Sequence, residues 1–378
     1  MPLPPIPVTG FRTIRAKIVS RRFLFIIGGV IIIGLVIIYL VGYSKIFSAE
    51  SKWSISDSVG TTTKKKLPPP IPPLDKVAYD LKLYKIANAT SSAPIMATSS
   101  ASTTHTLWPV KTAYPNGGAI LPFNRIVAYY GNFLSKGMGV LGEYPAEEML
   151  AKLKVEVNNW QVADPDTPVI PAIHYIAVTA QESAGTAGLY RLRMPDDQIK
   201  HALDLAREVN GIVFLDVQVG LGNLKKEVEA LEPYLKLSQV HLAIDPEFSM
   251  KTGDRPGTVI GTVDALDINT VAEYLAQLVR DNNLPPKILI VHRFTLPMIT
   301  NYEQIVPLPE VQIVIDMDGW GSPAKKFGTY NSVIYPEPVQ FTGFKLFYKN
   351  DLRPPSERIL TPAEILKLKP QPVYIQYQ

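Results

Sequence analysis

The chain is 378 residues long, enough for one large domain with appendages. Lys+Arg total 38 against Asp+Glu 34, a near balance that excludes a strong field toward nucleic acid. Cysteine is absent, which excludes disulfides, thiolate metal sites, cysteine nucleophiles and lipidated cysteine anchors.

Residues 1–22 are a basic N-terminus, and residues 23–41 are apolar throughout and carry no charge. Such a run is long enough to cross about 30 Å of hydrocarbon at roughly 1.5 Å per residue. Arg12, Arg15, Lys17, Arg21 and Arg22 precede it, so the positive-inside rule keeps that end in the cytoplasm. The run exceeds a cleavable signal core, and no A-x-A site lies close behind it. It predicts a transmembrane signal anchor in a single-pass protein whose C-terminal domain lies outside, at the cell surface. The membrane is one expected partner, and nucleic acid is not.

Residues 42–122 read as a Pro/Ser/Thr-rich linker. The lysines Lys64, Lys65 and Lys66 run into Leu67-Pro68-Pro69-Pro70, which favours extended polyproline geometry, and residues 91–104 are almost all Ser, Ala and Thr. Between them, residues 77–89 have enough apolar content for a short helix or strand.

From about residue 123 the pattern alternates to the end. A strand over 126–130 precedes a helix over 145–160, and a strand over 169–176 precedes one over 196–210. A strand over 211–217 leads to a helix over 224–237. A fourth strand includes His241-Leu242-Ala243-Ile244 and is followed by a helix over 268–281. Strands over 287–292, 311–317, 341–348 and 373–377 complete the count. A short helical stretch over 298–305, an irregular segment to about 334 and a helix opened by Thr361-Pro362 separate them. Eight strand-then-helix units in about 250 residues predict a (β/α)₈ barrel over 123–378, with an open doubly wound sheet as the competitor.

Chemistry in such a barrel belongs at the C-terminal strand ends. There the sequence places Tyr130, Asp216, Gln218, Asp245, Glu247, His292, Asp316, Asp318, Lys345, Tyr348 and Gln376, a polar pocket at one end of apolar strands. His174 lies at mid-strand. Trp320, Phe327 and Tyr330 follow the sixth strand, where aromatic rings could stack on sugars. Acid/base work on a glycoside needs two carboxylates across the scissile bond, about 5–5.5 Å apart for retention and roughly 6.5–9.5 Å for inversion. Glu247 with Asp316 or Asp318 would straddle the mouth, with Asp245 deeper.

The fourth strand, ending Asp245-Pro246-Glu247, resembles that of chitinase-like barrels, which ends Asp-x-Glu. That resemblance implies Glu247 as the acid and Asp245 as its partner. The stretch upstream reads His241-Leu242-Ala243-Ile244, where the longer signature has further aspartates and a glycine. The seventh strand carries Lys345 where another large glycosidase clan has a glutamate. Residues 125–378 also resemble an uncharacterised group of surface-anchored bacterial barrel proteins. The resemblance rests on Gly139-Val140-Leu141-Gly142-Glu143, Ile244-Asp245-Pro246-Glu247, and Phe347-Tyr348 with Asp351. It implies an exported bacterial barrel and no activity.

The run Gly137-Met138-Gly139-Val140-Leu141-Gly142 matches a dinucleotide fingerprint in letters, but six residues separate it from the strand before it. It predicts a loop over the barrel mouth, and no cofactor is expected. No metal site is assigned. His174 and His292 with Asp245, Asp316 and Asp318 are the residues a metal-dependent hydrolase would use. Of the other histidines, His105 falls in the linker, His201 on a helix and His241 at the barrel's bottom. The readings are a tethered glycosidase-like enzyme on envelope or extracellular glycan, a silent barrel binding glycan or a protein, and a metal-dependent hydrolase. A polysaccharide is the expected ligand.

Overall fold

Alternate residues of each strand face opposite ways, and here they sort into two apolar layers with a polar one. The structure is a computed structural model and describes residues 71–87, Trp108 and 113–378. The expected anchor at 23–41 and much of the linker lie outside the described residues. Among those described, no helix is long and apolar enough to cross a membrane.

Eight parallel strands form the barrel: β1 (Arg125–Gly131), β2 (Val169–Ala180), β3 (Ile212–Val217), β4 (Val240–Ile244), β5 (Lys287–Arg293), β6 (Val311–Met317), β7 (Phe341–Leu346) and β8 (Tyr374–Tyr377). Each pairs with the next, and β1 pairs with both β2 and β8, so the ring is closed. Closure removes the edges that an open doubly wound sheet would keep. Helices surround it, the longest being Ala146–Ala163, Asp196–Glu208 and Ala265–Asn282.

The outward layer includes Ile173, Leu215, Leu242, Ile244, Val291 and Ile315, all buried under these helices. The inward layer includes Ile126, Ala128, Ala172, Phe214, Ala243, Ile290 and Val314. Burying a large aliphatic side chain contributes about 1.5–3 kcal/mol, so both layers hold the ring closed.

Two elements differ from expectation. The helix expected over 224–237 breaks into Leu224–Ala230 and Glu232–Leu235, because Pro233 has no N–H to donate in a continuous helix. The stretch near 298–305 holds the 3₁₀ turns Leu296–Met298 and Tyr302–Gln304 instead of a longer helix. Within the expected linker, Lys76–Ile86 is a helix, capped by Asp75, whose side chain accepts from Ala78 N at 2.9 Å. Its Tyr79 and Ile86 pack with Leu121 into the inward apolar layer and plug the N-terminal mouth. Lys85 ties it to Asp164 at 3.0 Å, and Asp164 also pairs with buried Arg125 at 3.0 Å.

Candidate active site

With its bottom plugged, the barrel opens at the C-terminal strand ends, where a cavity of about 690 Å³ forms. Tyr130, Gln218, Asp245, Glu247, Asp318 and Lys345 line its polar side, and Phe248, Phe294, Trp320 and Phe347 line its apolar wall. Phe248, Phe294 and Phe347 were not among the expected residues.

Asp245 and Glu247 reach the same pocket, but not by strand alternation. β4 ends at Ile244, and Pro246–Phe248 is a 3₁₀ turn. Asp245 caps that turn, its Oδ1 accepting from Glu247 N at 3.1 Å, while Oδ2 accepts from Gln218 Nε2 at 3.3 Å. Gly261 packs behind, its N–H donating to Glu247 O at 2.7 Å. A Cβ at 261 would lie 2.5 Å from Pro246 O, so the turn is held from both sides.

The carboxyl of Glu247 is pushed up to about 6, first by burial and then by Asp318, against the opposing pull of Lys345 and His292. Asp245 is held well above the carboxylate range, again by burial first, with Asp216, Glu247 and Asp318 adding repulsion. Lys345 does not pair with Glu247. Its Nζ lies 2.9 Å from Asp318 Oδ1 and 4.1 Å from the centre of the Tyr130 ring. Arg293, on the opposite face of β5, pairs with Glu337.

Asp216, Asp316, His292 and Gln376, expected at the mouth, lie one layer down, each fully buried, with His174 among them. They follow the same alternation as the pocket residues, but the ring of side chains above covers them. Tyr130 OH donates to Asp216 Oδ2 at 2.9 Å. His292 Nδ1 is 3.2 Å from Asp316 Oδ2 and 3.4 Å from Asp318 Oδ2. Burial alone would depress the His292 imidazolium, but Asp316, Asp318 and Asp216 outweigh it and hold it up at about 9. His174 is pushed well below its usual value, first by burial and then by the nearby His292 and Lys345.

Of the residues a metal-dependent hydrolase would use, His292 meets Asp316 and Asp318 through Nδ1, but among the described residues these do not gather with His174 and Asp245 into one cluster. The side chains that converge instead are His174, Asp216 and His292. Tyr348 is not in the pocket. It lies three residues after Lys345 and so faces the other way, donating to Glu156 Oε1 at 2.7 Å and sharing a 2.9 Å hydrogen bond with Tyr129 OH. Tyr330 is buried, donating to Pro370 O and accepting from Thr342 Oγ1–H, and Phe327 packs on the core. Of the three aromatics after β6, only Trp320 lines the cavity. Lys325 and Arg353 lie 4.5 and 5.0 Å from its ring centre.

The glycines of the fingerprint-like run have a packing reason. A Cβ at Gly139 would lie 2.3 Å from Tyr130 O, and one at Gly142 would lie 2.3 Å from Asn132 O. They let the loop lie flat on the end of β1, so that Gly137 and Met138 line the mouth.

Gly343 sets the floor. It stands in register between Asp316 of β6 and Tyr374 of β8. A Cβ there would lie 2.5 Å from Asp316 Oδ1 and 2.9 Å from Tyr374 Cδ1. Gly343→Ala should therefore destabilise by about 1–3 kcal/mol, the usual range for overpacking. Urea unfolding would check it, and an unchanged midpoint would show that the floor has room to give.

No family model matches the chain, and no curated protein matches it. Among solved structures it is similar to the cellulase Cel5C_n at 15% identity and a TM-score of 0.34, covering 59% of this chain and 65% of that one. It thus spans just under two thirds of the cellulase. It is also similar to the mannanase man26 of Bacillus subtilis, at 12% identity and a TM-score of 0.35, covering 68% and 80%. A tri-modular GH5 endo-β-1,4-glucanase from Bacillus licheniformis matches at 11% identity and a TM-score of 0.34, covering 68% and 54%. The barrel is defined here by its own strand pairing, and the chemistry of its mouth by its own side chains.

Proposed function

We propose that the barrel is a carbohydrate-active hydrolase in which Glu247 is the general acid. The observation that carries this reading is a carboxyl held up at about 6 at the mouth of a cavity of about 690 Å³, beside two further carboxylates. Such a group is protonated often enough near neutrality to donate to a leaving glycosidic oxygen. As that C–O bond breaks, the proton moves from Glu247 to the leaving oxygen; water then adds its hydroxyl to the anomeric carbon, and its other proton passes to the Glu247 carboxylate, restoring the acid. Asp318, fixed by Lys345, is the second carboxylate and faces the positive charge that develops on the sugar ring. Asp245 is a positioning residue that holds the turn carrying Glu247. Trp320 and Phe347 supply apolar surface for a sugar face.

Reducing-end release from envelope and chitin-type oligosaccharides is the first assay. Cleavage by the wild-type chain that vanishes in Glu247→Gln supports the reading. A second reading, a silent barrel that binds glycan, draws on the Lys345–Asp318 ion pair, which already engages one of the carboxylates. Glycan bound equally by both proteins and cleaved by neither would favour it.

The basic cluster before the apolar run at 23–41 supports placing this barrel outside the membrane it is anchored to. A reporter fused after Gln378 should then be active only when it requires export. Activity of a cytoplasm-dependent reporter at that position would overturn the localisation.

A further inference from the structure

Three side chains beneath the pocket take no part in the proposed reaction. His174 Nε2 and His292 Nε2 each lie 3.9 Å from Asp216 Oδ2. One nitrogen or oxygen from each residue falls within 4.8 Å of the others. All three residues are 0% exposed. Neither Nε2 has a hydrogen-bond partner among the described residues, and nor does Asp216 Oδ1. A buried polar atom left unpaired costs about 1–3 kcal/mol, so the two Nε2 atoms that face the Asp216 carboxylate call for a shared partner.

The surroundings say what that partner carries. Asp216, Asp245, Asp316 and Asp318 are all buried here, and Lys345 is the one buried lysine paired with any of them among the described residues. The far ring nitrogens face outer polar groups. His292 Nδ1 faces the Asp316 and Asp318 carboxylates, and His174 Nδ1 faces Tyr374 OH and the Gln376 amide at 2.9 Å. With the isosteric Gln376 amide turned so that Oε1 meets Nδ1–H, both imidazoles present a free Nε2 toward Asp216. An outer carboxylate, amide or hydroxyl on the far nitrogen is how metal-bound imidazoles are oriented.

We propose that His174, Asp216 and His292 bind one divalent transition-metal ion, zinc by ligand chemistry, in the closed floor of the barrel. Two imidazole nitrogens with a carboxylate suit zinc, whereas calcium and magnesium take oxygen ligands. Asp216 Oδ1 is free to join Oδ2 as a fourth donor. Zinc bound at about 2.0–2.2 Å sets ligand atoms of different residues roughly 3.4 Å apart, so the 3.9 Å separations need to close by about half an ångström, and the bidentate carboxylate makes the four-coordinate site a distorted tetrahedron. The ion would join β2, β3 and β5. With no donor of the triad lining the cavity, it is a structural ion and independent of the glycosidase reading.

The rival occupant is a proton on His292, and metal analysis separates the two. The full chain, purified in detergent without chelator, should carry about one zinc per chain. Chelator should lower its thermal midpoint by several degrees, and added Zn²⁺ should restore it. His174→Gln and Asp216→Asn should lose the ion, while His201→Gln, on an outer helix, should keep it. Should either variant fail to fold, Co²⁺ added to the stripped wild-type chain gives the deciding readout. Four-coordinate nitrogen and oxygen ligation produces intense visible bands, which Zn²⁺ should abolish. Three results overturn the site: folded wild-type chain without metal and unmoved by Zn²⁺ or chelator, cobalt without such bands, or metal retained in both folded triad variants.

Discussion

Glu247→Gln is expected to lower turnover at least about 100-fold, because a neutral amide has no proton to give a leaving oxygen. The same substitution should make the protein more stable, which separates lost chemistry from lost fold. A carboxyl whose folded value is raised from 4.5 to about 6 favours the protonated form in the native state. Above about pH 6 it is ionised in both states and costs the fold about 1–2 kcal/mol, and below about pH 4.5 it costs nothing. Glu247→Gln should therefore raise the unfolding free energy at pH 8 and leave it unchanged at pH 4. Urea titrations at the two values check the sign. A destabilised variant at pH 8 would mean that the carboxylate is held by contacts rather than merely buried.

The second large effect concerns stability alone. Lys326 and Asp351 form an ion pair of 3.1 Å with both side chains 1% exposed. Lys326 Nζ also donates to Gly319 O and Lys345 O, each at 2.7 Å, and Asp351 accepts from Gly321 N and Phe347 N, each at 2.9 Å. The cluster thus anchors the loop bearing Trp320 to the end of β7. Lys326→Met leaves a buried carboxylate unpaired and should cost about 3–5 kcal/mol. Adding Asp351→Asn should return part of that loss, since the amide carries no charge and its one oxygen still accepts from one of the two backbone N–H groups. A single variant as stable as wild type would show that water reaches Asp351 and replaces the ammonium.

Much of this architecture was legible because alternation with period two is a local signal. It placed Tyr130, Asp216, His292, Asp316 and Lys345 on the inward face, and the structure has them there. The same rule, applied strictly, would have put Tyr348 outside, three positions from Lys345. Depth was not legible. Asp216, Asp316, His292 and Gln376 share a face with the pocket residues, but whether a side chain meets the cavity depends on what the neighbouring strands stack above it. Glu247 reached the pocket by a turn that Asp245 caps, a route that strand alternation does not describe. The meeting of His174, Asp216 and His292 comes from three strands, two of them not adjacent, so no spacing in the sequence announced it. Residues 77–89 showed their apolar content, but not that Tyr79 and Ile86 would close the barrel's bottom. Asp351 enters the sequence reading only through a resemblance, and its 25-residue distance from Lys326 conceals the buried ion pair the two form.

The central claim is that Glu247 gives up a proton to a glycosidic oxygen. The most direct test is the pH dependence of kcat/KM for a cleaved glycan, measured with the full chain from about pH 4 to about pH 9. The expected profile has a limb that falls above about 6, by about tenfold per unit, as the acid form of Glu247 is lost. Cleavage that stays constant through that range, or that survives Glu247→Gln with the same profile, would contradict it.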